Sequence, residues 1–385
     1  MPSRERVEGA PPALAVVTAD FPPVVGGIAT YAAELSRRLL RTHAVTVVAP
    51  AHPRSAHHDR TFPAPVVRLP GGADALGFAS LPALLRRRPT TVLCATWGVA
   101  PSAIVARRLG RVKRVVVAAH GRELLLEPWP GRAQRGYDVF RRRVLRHADH
   151  CLPVSRYTAG LLEALGVAAR RITVVSNGTD PDRFVRPPYP ASPYPASPSP
   201  LRGLGAGGGP IVLTVARLVR RKGVDTVLEA WPTIAAHHPG ARYVVVGDGP
   251  DRARLEALAR PLGPGIHFAG NVDEDELGAW YRACDVFVMP ARSEPPDVEG
   301  FGLVFLEAGA LGKPVVAARA GGVVDAVDDE KTGLLVPPGD PVTTAAAVVR
   351  ILADPSLAAR LGAGGRARAT ASRWEDVAGA MVRVL

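Results

Sequence analysis

The stretch Asp297-Val-Glu299-Gly300-Phe301-Gly302-Leu303-Val-Phe-Leu-Glu307 decides how this chain is read. It follows an apolar run at 285–290, predicted as a strand, and a polar loop. Two glycines, Gly300 and Gly302, then open a predicted helix that runs through residue 311. Glu299 therefore stands before a helix start, and Glu307 lies on the helix side about a turn and a half later. Between them are the N–H groups of a helix N-terminus, which glycine makes approachable. Such donors and the helix dipole favour negative charge, and the two carboxylates can accept hydrogen bonds from hydroxyls on either side. Taken singly, Glu307 also fits a solvated helix residue and Glu299 a loop charge.

Working outward, the same half of the chain alternates strand and helix patterns. Residues 211–215 read as a strand, followed by Arg217, Arg220, Arg221 and Lys222 and a helix over 224–235. A guanidinium grips phosphate oxygens in pairs and an ammonium is a compact charge, so Arg217 and Lys222 are candidates for a phosphate group. The same four cations also fit a surface cluster, and Arg220 and Arg221 are read as solvated. A strand at 243–246 ends in Gly247-Asp-Gly, where a nucleotide can approach backbone, although the third glycine of a dinucleotide fingerprint is missing. A strand at 267–272 and its exit bring Asn271 and Val272. The acids at 273–276 read as charge at the start of a helix over 277–282. Strands at 314–318 and 332–336 and a terminal helix at 372–385 complete the half.

The first half repeats the alternation. Strands are predicted at 14–18, 45–49, 92–95, 115–119 and 151–154, and helices at 29–40, 100–109 and 134–147. Strands alternating with helices indicate βαβ units and a parallel sheet. Asp20 and the pair Gly26-Gly27 lie between the first strand and its helix, another anion-tolerant corner. His120 follows a buried strand end, where open parallel sheets bind ligands. Ser155 reads as a helix N-cap. The histidine-bearing segment 52–60 reads as a solvent loop, and Asp180-Pro-Asp182 as a turn. Proline-rich 187–200 and glycine-rich 203–209 cannot pack a core and mark a linker.

The Glu299–Glu307 pattern resembles the Glu-x7-Glu signature of retaining glycosyltransferases of family 4, and Asp-Val-Glu-Gly-Phe-Gly is worded most like the phosphatidylinositol mannosyltransferase branch. The resemblance implies an α/β fold of two Rossmann-like domains facing across a cleft, the GT-B fold. It implies an acceptor-binding domain at 1–185, a linker at 186–209, a nucleotide-sugar domain at 210–371, and a terminal helix at 372–385 packing back toward the first domain. It places Glu299 on the donor hexose, Glu307 on the ribose, Arg217 and Lys222 on the diphosphate, and Asn271 and Val272 at the base. Gly300, Phe301, Gly302, Leu303 and Gly247 join the donor side, as do Gly26 and Gly27, whose loop closes over the phosphates. His120 corresponds to the family's active-site histidine at the sugar, with Asp20 and Ser155 near the acceptor. The implied reaction moves a hexosyl group from a nucleoside diphosphate sugar, GDP-mannose favoured, to an acceptor hydroxyl of a glycan or lipid. It is a retaining transfer needing neither metal nor cofactor. The alternatives are a nucleotide-sugar epimerase of the same fold and a non-catalytic scaffold that binds polyanions or membranes.

Length and composition agree with two domains. The chain has 385 residues, 47% of them hydrophobic, and no apolar run reaches the ~18 residues that span a bilayer. The start of the chain shows no apolar signal segment, and Cys94, Cys151 and Cys284 lie far apart beside apolar strands, which reads as buried thiols in a cytoplasmic protein. The net charge of +13 is uneven: residues 1–185 hold 27 Lys and Arg against 13 Asp and Glu, while the remainder holds 21 against 22. A basic first half suits an anionic partner, and arginines along 134–147 suit an anionic membrane at the inner face of the plasma membrane. The same apolar stripe also fits the core face of an ordinary helix. Nucleic acid is excluded as a partner, because no recognition module is present and the seven tyrosines are not arranged for base stacking.

Overall fold

The computed structural model describes residues 11–72, 76–127, 130–184 and 208–385. The first sheet contains β1 (Ala13–Val17), β2 (Ala44–Pro50), β3 (Val66–Leu69), β4 (Thr91–Cys94), β5 (Arg114–Ala119) and β6 (His150–Pro153) in the order β3-β2-β1-β4-β5-β6. The second contains β7 (Ile211–Val215), β8 (Arg242–Val246), β9 (Ile266–Gly270), β10 (Val286–Met289), β11 (Val315–Ala318) and β12 (Gly333–Val336) in the order β12-β11-β10-β7-β8-β9. Every named pairing is parallel, as in Val16 against Val47 and Leu93, or Phe287 against Leu213 and Val315. The central strands β1, β4, β5, β7, β10 and β11 are rich in valine and alanine and buried on both faces, which parallel sheets covered by helices require, while the edge strands β3 and β9 are half-buried.

Each sheet has its own core. Val17, Val92, Val115, Val117, Leu145 and Leu162 pack in the first, and Val227, Trp231, Ile234, Tyr243, Val288 and Val348 in the second. The chain divides into two compact units. The first comprises the described residues of Met1–Val154, Ala159–Val175 and Val377–Leu385, and the second Ser155–Thr158 and the described residues of Ser176–Asp376. The expected boundary at 185 thus moves. Residues 176–184 join the second unit, because Arg183 pairs with Glu274 and Glu307 and the Arg282 guanidinium donates to the Phe184 carbonyl at 2.8 Å. At the end of the chain, Thr91 donates to the Leu385 carbonyl at 3.0 Å within the first unit. Apart from Gly208 and Gly209, the linker at 186–209 lies outside the described residues.

The expected strands appear, their ends shifted by a residue or two. β3 was not legible: four residues with Arg68 among them carry no alternation. Arg68 is held by Asp59 at 2.8 Å and by the Pro50 carbonyl at 3.0 Å. Residues 52–60 are not a solvent loop either. Ser55–Thr61 is helical, and His58 packs against Phe21 and Phe62 with ring centroids 5.5 and 5.4 Å away. The three cysteines are buried free thiols. Among the described residues no single helix is long and apolar enough to cross a membrane.

Candidate active site

Strand order places the candidate residues. In the second sheet the sequence order reverses between β7 and β10, and ligands in open parallel sheets bind beyond the strand carboxyl ends at such a point. The loop after β7 carries Arg217, Arg221 and Lys222, and the loop after β10 carries Glu299. The two loops are stitched together: the Arg292 N–H donates to the Arg221 carbonyl at 2.7 Å, and a Cβ on Gly223 would meet the Pro290 carbonyl oxygen at 2.2 Å. Gly223 also has φ 70°, so glycine is demanded twice over there. Arg292 is anchored in turn on buried Asp225 at 3.0 Å.

Glu299 is 9% exposed. Its Oε2 accepts from Lys222 Nζ at 2.6 Å and from Arg221 Nη1. Its Oε1 forms no hydrogen bond among the described residues. Burial pushes this carboxyl up, but Lys222 and Arg221 outweigh burial and hold it below the ordinary carboxylate range. Burial lowers the Lys222 ammonium, with Glu299 opposing. Arg221 therefore departs from its solvated reading, being drawn in by a carboxylate that lies 78 residues away in sequence. Arg217 is exposed, as is Arg220, and neither side chain has a hydrogen-bonding partner among the described residues.

The helix after the acidic loop runs Leu303–Ala310 and begins at Gly302, whose φ of 95° lies in the left-handed region. Among the described residues the N–H groups of Gly300, Phe301, Gly302, Leu303 and Val304 donate to nothing. They form an open N-terminal donor set. Phe301 is 2% exposed, so what it offers a ligand is backbone. The Gly321-Gly322 turn, a signal passed over in the sequence, supports this loop from behind. The Gly322 N–H donates to the Glu299 carbonyl at 2.8 Å, and a Cβ on Gly322 would lie 1.8 Å from the Gly300 oxygen.

Glu307 faces a second cluster. Arg183 donates to Oε1 and the Tyr281 hydroxyl to Oε2, each at 2.9 Å, and Arg183 also reaches Glu274 at 2.7 Å. Nothing in the spacing of Arg183 marked it, since it precedes the linker by sequence but packs on the second unit. Gly247 donates to the Gly270 carbonyl at 2.7 Å, which brings the exits of β8 and β9 together beside Asn271 and Val272. Its φ of 121° and the Ala216 oxygen, 2.0 Å from a would-be Cβ, account for glycine there without a ligand.

In the first unit the reversal lies between β1 and β4. His120 follows β5, and its Nε2 lies 2.9 Å from the Ala95 carbonyl beyond β4. A carbonyl only accepts, so Nε2 carries the proton and Nδ1 presents its lone pair. Burial lowers the His120 pKa against the opposing pull of Glu123 and Asp20, so the ring is neutral. Tyr31 stands edge-on to it at 4.8 Å. Gly26 and Gly27 are exposed at the start of the helix Gly27–Leu39, and a Cβ on either would meet nothing within 4 Å. Asp20 is half-buried. Ser155 is fully buried and its hydroxyl accepts from the Thr158 N–H at 3.2 Å, the helix cap read from the sequence. Asp180 accepts from the Asp182 N–H at 3.0 Å, the mark of a turn.

Comparison with known proteins gives concordant matches. Residues 25–183 match the model of Glycosyltransferase Family 4, and residues 203–368 that of Glycosyl transferases group 1. A GDP-mannose-dependent alpha-(1-6)-phosphatidylinositol monomannoside mannosyltransferase of Mycobacterium tuberculosis is 36% identical, covering 94% of this chain and 95% of its own. Its counterpart in Mycolicibacterium smegmatis is 34% identical over 91% and 92%. Among solved structures, Anabaena HepE with UDP and glucose has a TM-score of 0.76 at 19% identity, covering 96% of this chain and 98% of its own. Sucrose-phosphate synthase from Thermosynechococcus elongatus has 0.77 at 26%, covering 97% and 98%.

Proposed function

This chain belongs to glycosyltransferase family 4, with the GT-B fold, and from that premise we propose that it transfers a mannosyl group from GDP-mannose to a hydroxyl of a phosphatidylinositol-type glycolipid, with retention and without a metal ion. The observation that carries the reading is Glu299, held on two cations beside an open helix N-terminus at the sheet's reversal point. The named mannosyltransferase relatives extend it to donor and acceptor.

The leaving diphosphate gains negative charge as the glycosidic bond breaks. Lys222, Arg217 and the N–H groups of 300–304 stabilise that charge, the dominant kind of contribution in such catalysis. These two cations and the helix N-terminus supply the positive field that a metal would otherwise bring. Glu299 Oε1 accepts a hydroxyl of the sugar, Glu307 those of the ribose, and His120 Nδ1 a substrate hydroxyl. Same-face transfer is the course that the family resemblance implies, and it needs no covalent intermediate on Glu299. The bond from the anomeric carbon to the diphosphate breaks, the bond to the acceptor oxygen forms on that face, and the acceptor proton passes to the diphosphate.

The helix Gly131–His147 supports a peripheral, cytoplasmic-face membrane role. Phe78, Val139 and Phe140 are exposed, at 66, 66 and 39%, and Arg135, Arg142 and Arg143 are exposed beside them. Arg141, counted in the basic stripe, is buried against the Leu124 carbonyl at 2.7 Å and takes no part.

The test incubates the protein with GDP-mannose and vesicles carrying a phosphatidylinositol mannoside. Mannosylated lipid and GDP are expected, with UDP- and ADP-sugars inert. A new nucleotide sugar without acceptor mannosylation would make the protein an epimerase. In a melting panel, GDP at ~100 times its dissociation constant stabilises by about 2.7 kcal/mol, and a scaffold that binds no nucleotide would show no shift.

A further inference from the structure

Lys222 is largely buried and Arg221 is half-buried, so both need an anion close by whether or not a donor is bound. In this structure that anion is Glu299. Both cations converge on one oxygen, Oε2, and leave Oε1 without a protein partner among the described residues. A carboxylate oxygen between a guanidinium and an ammonium has the charge and the hydrogen-bond demand of a phosphate oxygen in the same place. The Arg221 main chain is held independently of the carboxylate, since its carbonyl accepts from the Arg292 N–H. The side chain is therefore still anchored beside the site when the carboxylate leaves it.

We propose that Glu299 is the resident counter-ion of the diphosphate subsite, that Arg221 is a third cation of that subsite, and that an arriving donor displaces the carboxylate from both. The proposal rests on the glycosyltransferase reading above and adds to it a means of discrimination. A bare nucleoside diphosphate must evict Glu299 and gives the carboxylate nothing in return. A nucleotide sugar evicts it and offers it a hydroxyl. Glu299 thus sets how far the enzyme prefers sugar-bearing donor over its own product.

The experiment measures GDP and GDP-mannose binding by calorimetry in the wild type, Glu299→Gln and Arg221→Ala. Glu299→Gln keeps the shape and removes the competing charge. It should bind GDP about tenfold more tightly, the factor that ~1.4 kcal/mol represents, and lose its preference for GDP-mannose. Arg221→Ala should bind both ligands about tenfold more weakly. The ratio of the two affinities does not depend on the fraction of folded protein, so a destabilised Glu299→Gln still decides the matter. An unchanged ratio in Glu299→Gln, or GDP affinity unaltered in Arg221→Ala, overturns the proposal and leaves the glycosyltransferase reading standing. A wild type that binds neither ligand overturns both.

Discussion

The Glu299–Lys222–Arg221 group and exposed Arg217 divide the work by burial. Among the described residues the Arg217 side chain has no hydrogen-bonding partner to lose, so Arg217→Ala should leave the melting temperature unchanged. Its turnover should fall on the order of 10²–10³, as for loss of one charge-stabilising donor. Near-normal turnover would remove Arg217 from the mechanism. The two glutamates should separate in the same way. Glu307 is held by Arg183 and Tyr281 with both oxygens engaged, a geometry that fixes where it points. Glu307→Ala and Arg183→Ala should each raise the dissociation constant for GDP. Glu299→Gln should instead lower turnover. Weaker GDP binding in Glu299→Gln, equal to that in Glu307→Ala, would contradict the assigned roles.

Helices and their glycine entries set the next scale. Gly26 has an extended φ of 166° and open space around it, so nothing in the fold forbids a side chain there. Gly26→Ala should keep its melting temperature and lose activity, because a methyl group would take space a substrate phosphate needs. Gly322 is the opposite case, its would-be Cβ lying 1.8 Å from the Gly300 oxygen. Gly322→Ala should lower both the melting temperature and the activity by pushing the Glu299 loop out of place. Equal stability in the two variants would show that the packing against Gly300 does not constrain the site. The helix Gly131–His147 turns Phe140, Arg142 and Arg143 outward and buries Val144 and Leu145. Each exposed arginine near an anionic surface contributes up to ~1 kcal/mol, screened by salt. Replacing Arg135, Arg142 and Arg143 with Gln should therefore reduce sedimentation with anionic vesicles at low salt without altering hydrolysis of soluble donor. Equal, negligible pelleting of the wild-type protein with anionic and neutral vesicles would point to a soluble acceptor.

Across the whole molecule, five of the ten histidines resist protonation through burial: His43, His58, His120, His150 and His267. Their folded pKa values lie below the unfolded value of about 6.5. The unfolded chain therefore binds protons first as the pH falls. Their contribution to stability is complete above about pH 6.5 and declines as the pH drops toward the folded values. Glu299 acts lower, its share being kept above the unfolded carboxylate value of about 4.3 and lost as the pH passes through its depressed one. The melting temperature should fall between pH 7 and pH 5.5, and His120→Gln should flatten part of that fall. A melting temperature that is level across this range would show that the buried rings are charged in the folded state.

The sequence by itself determined the alternation of strands and helices, the two-part organisation, and the pattern from Glu299 to Glu307. These are local: β-branched runs, glycine turns and a helix start are written in neighbouring residues. It also put Arg217, Lys222 and His120 just beyond strand ends, because strand ends can be read from apolar runs. What touches what was decided only by the tertiary structure. Arg221 and Arg220 are adjacent and chemically identical in sequence, yet one pairs with Glu299 and the other faces solvent, since only one points across the β7–β10 reversal. Arg141 disappears into the helix underside while Arg142 stays out, and Arg183 crosses the expected boundary to hold Glu307. The physical reason is common to all three. An ion pair or a buried hydrogen bond joins groups 17, 78 or 124 residues apart, and its geometry comes from the register of sheets and the packing of loops, which no local pattern encodes.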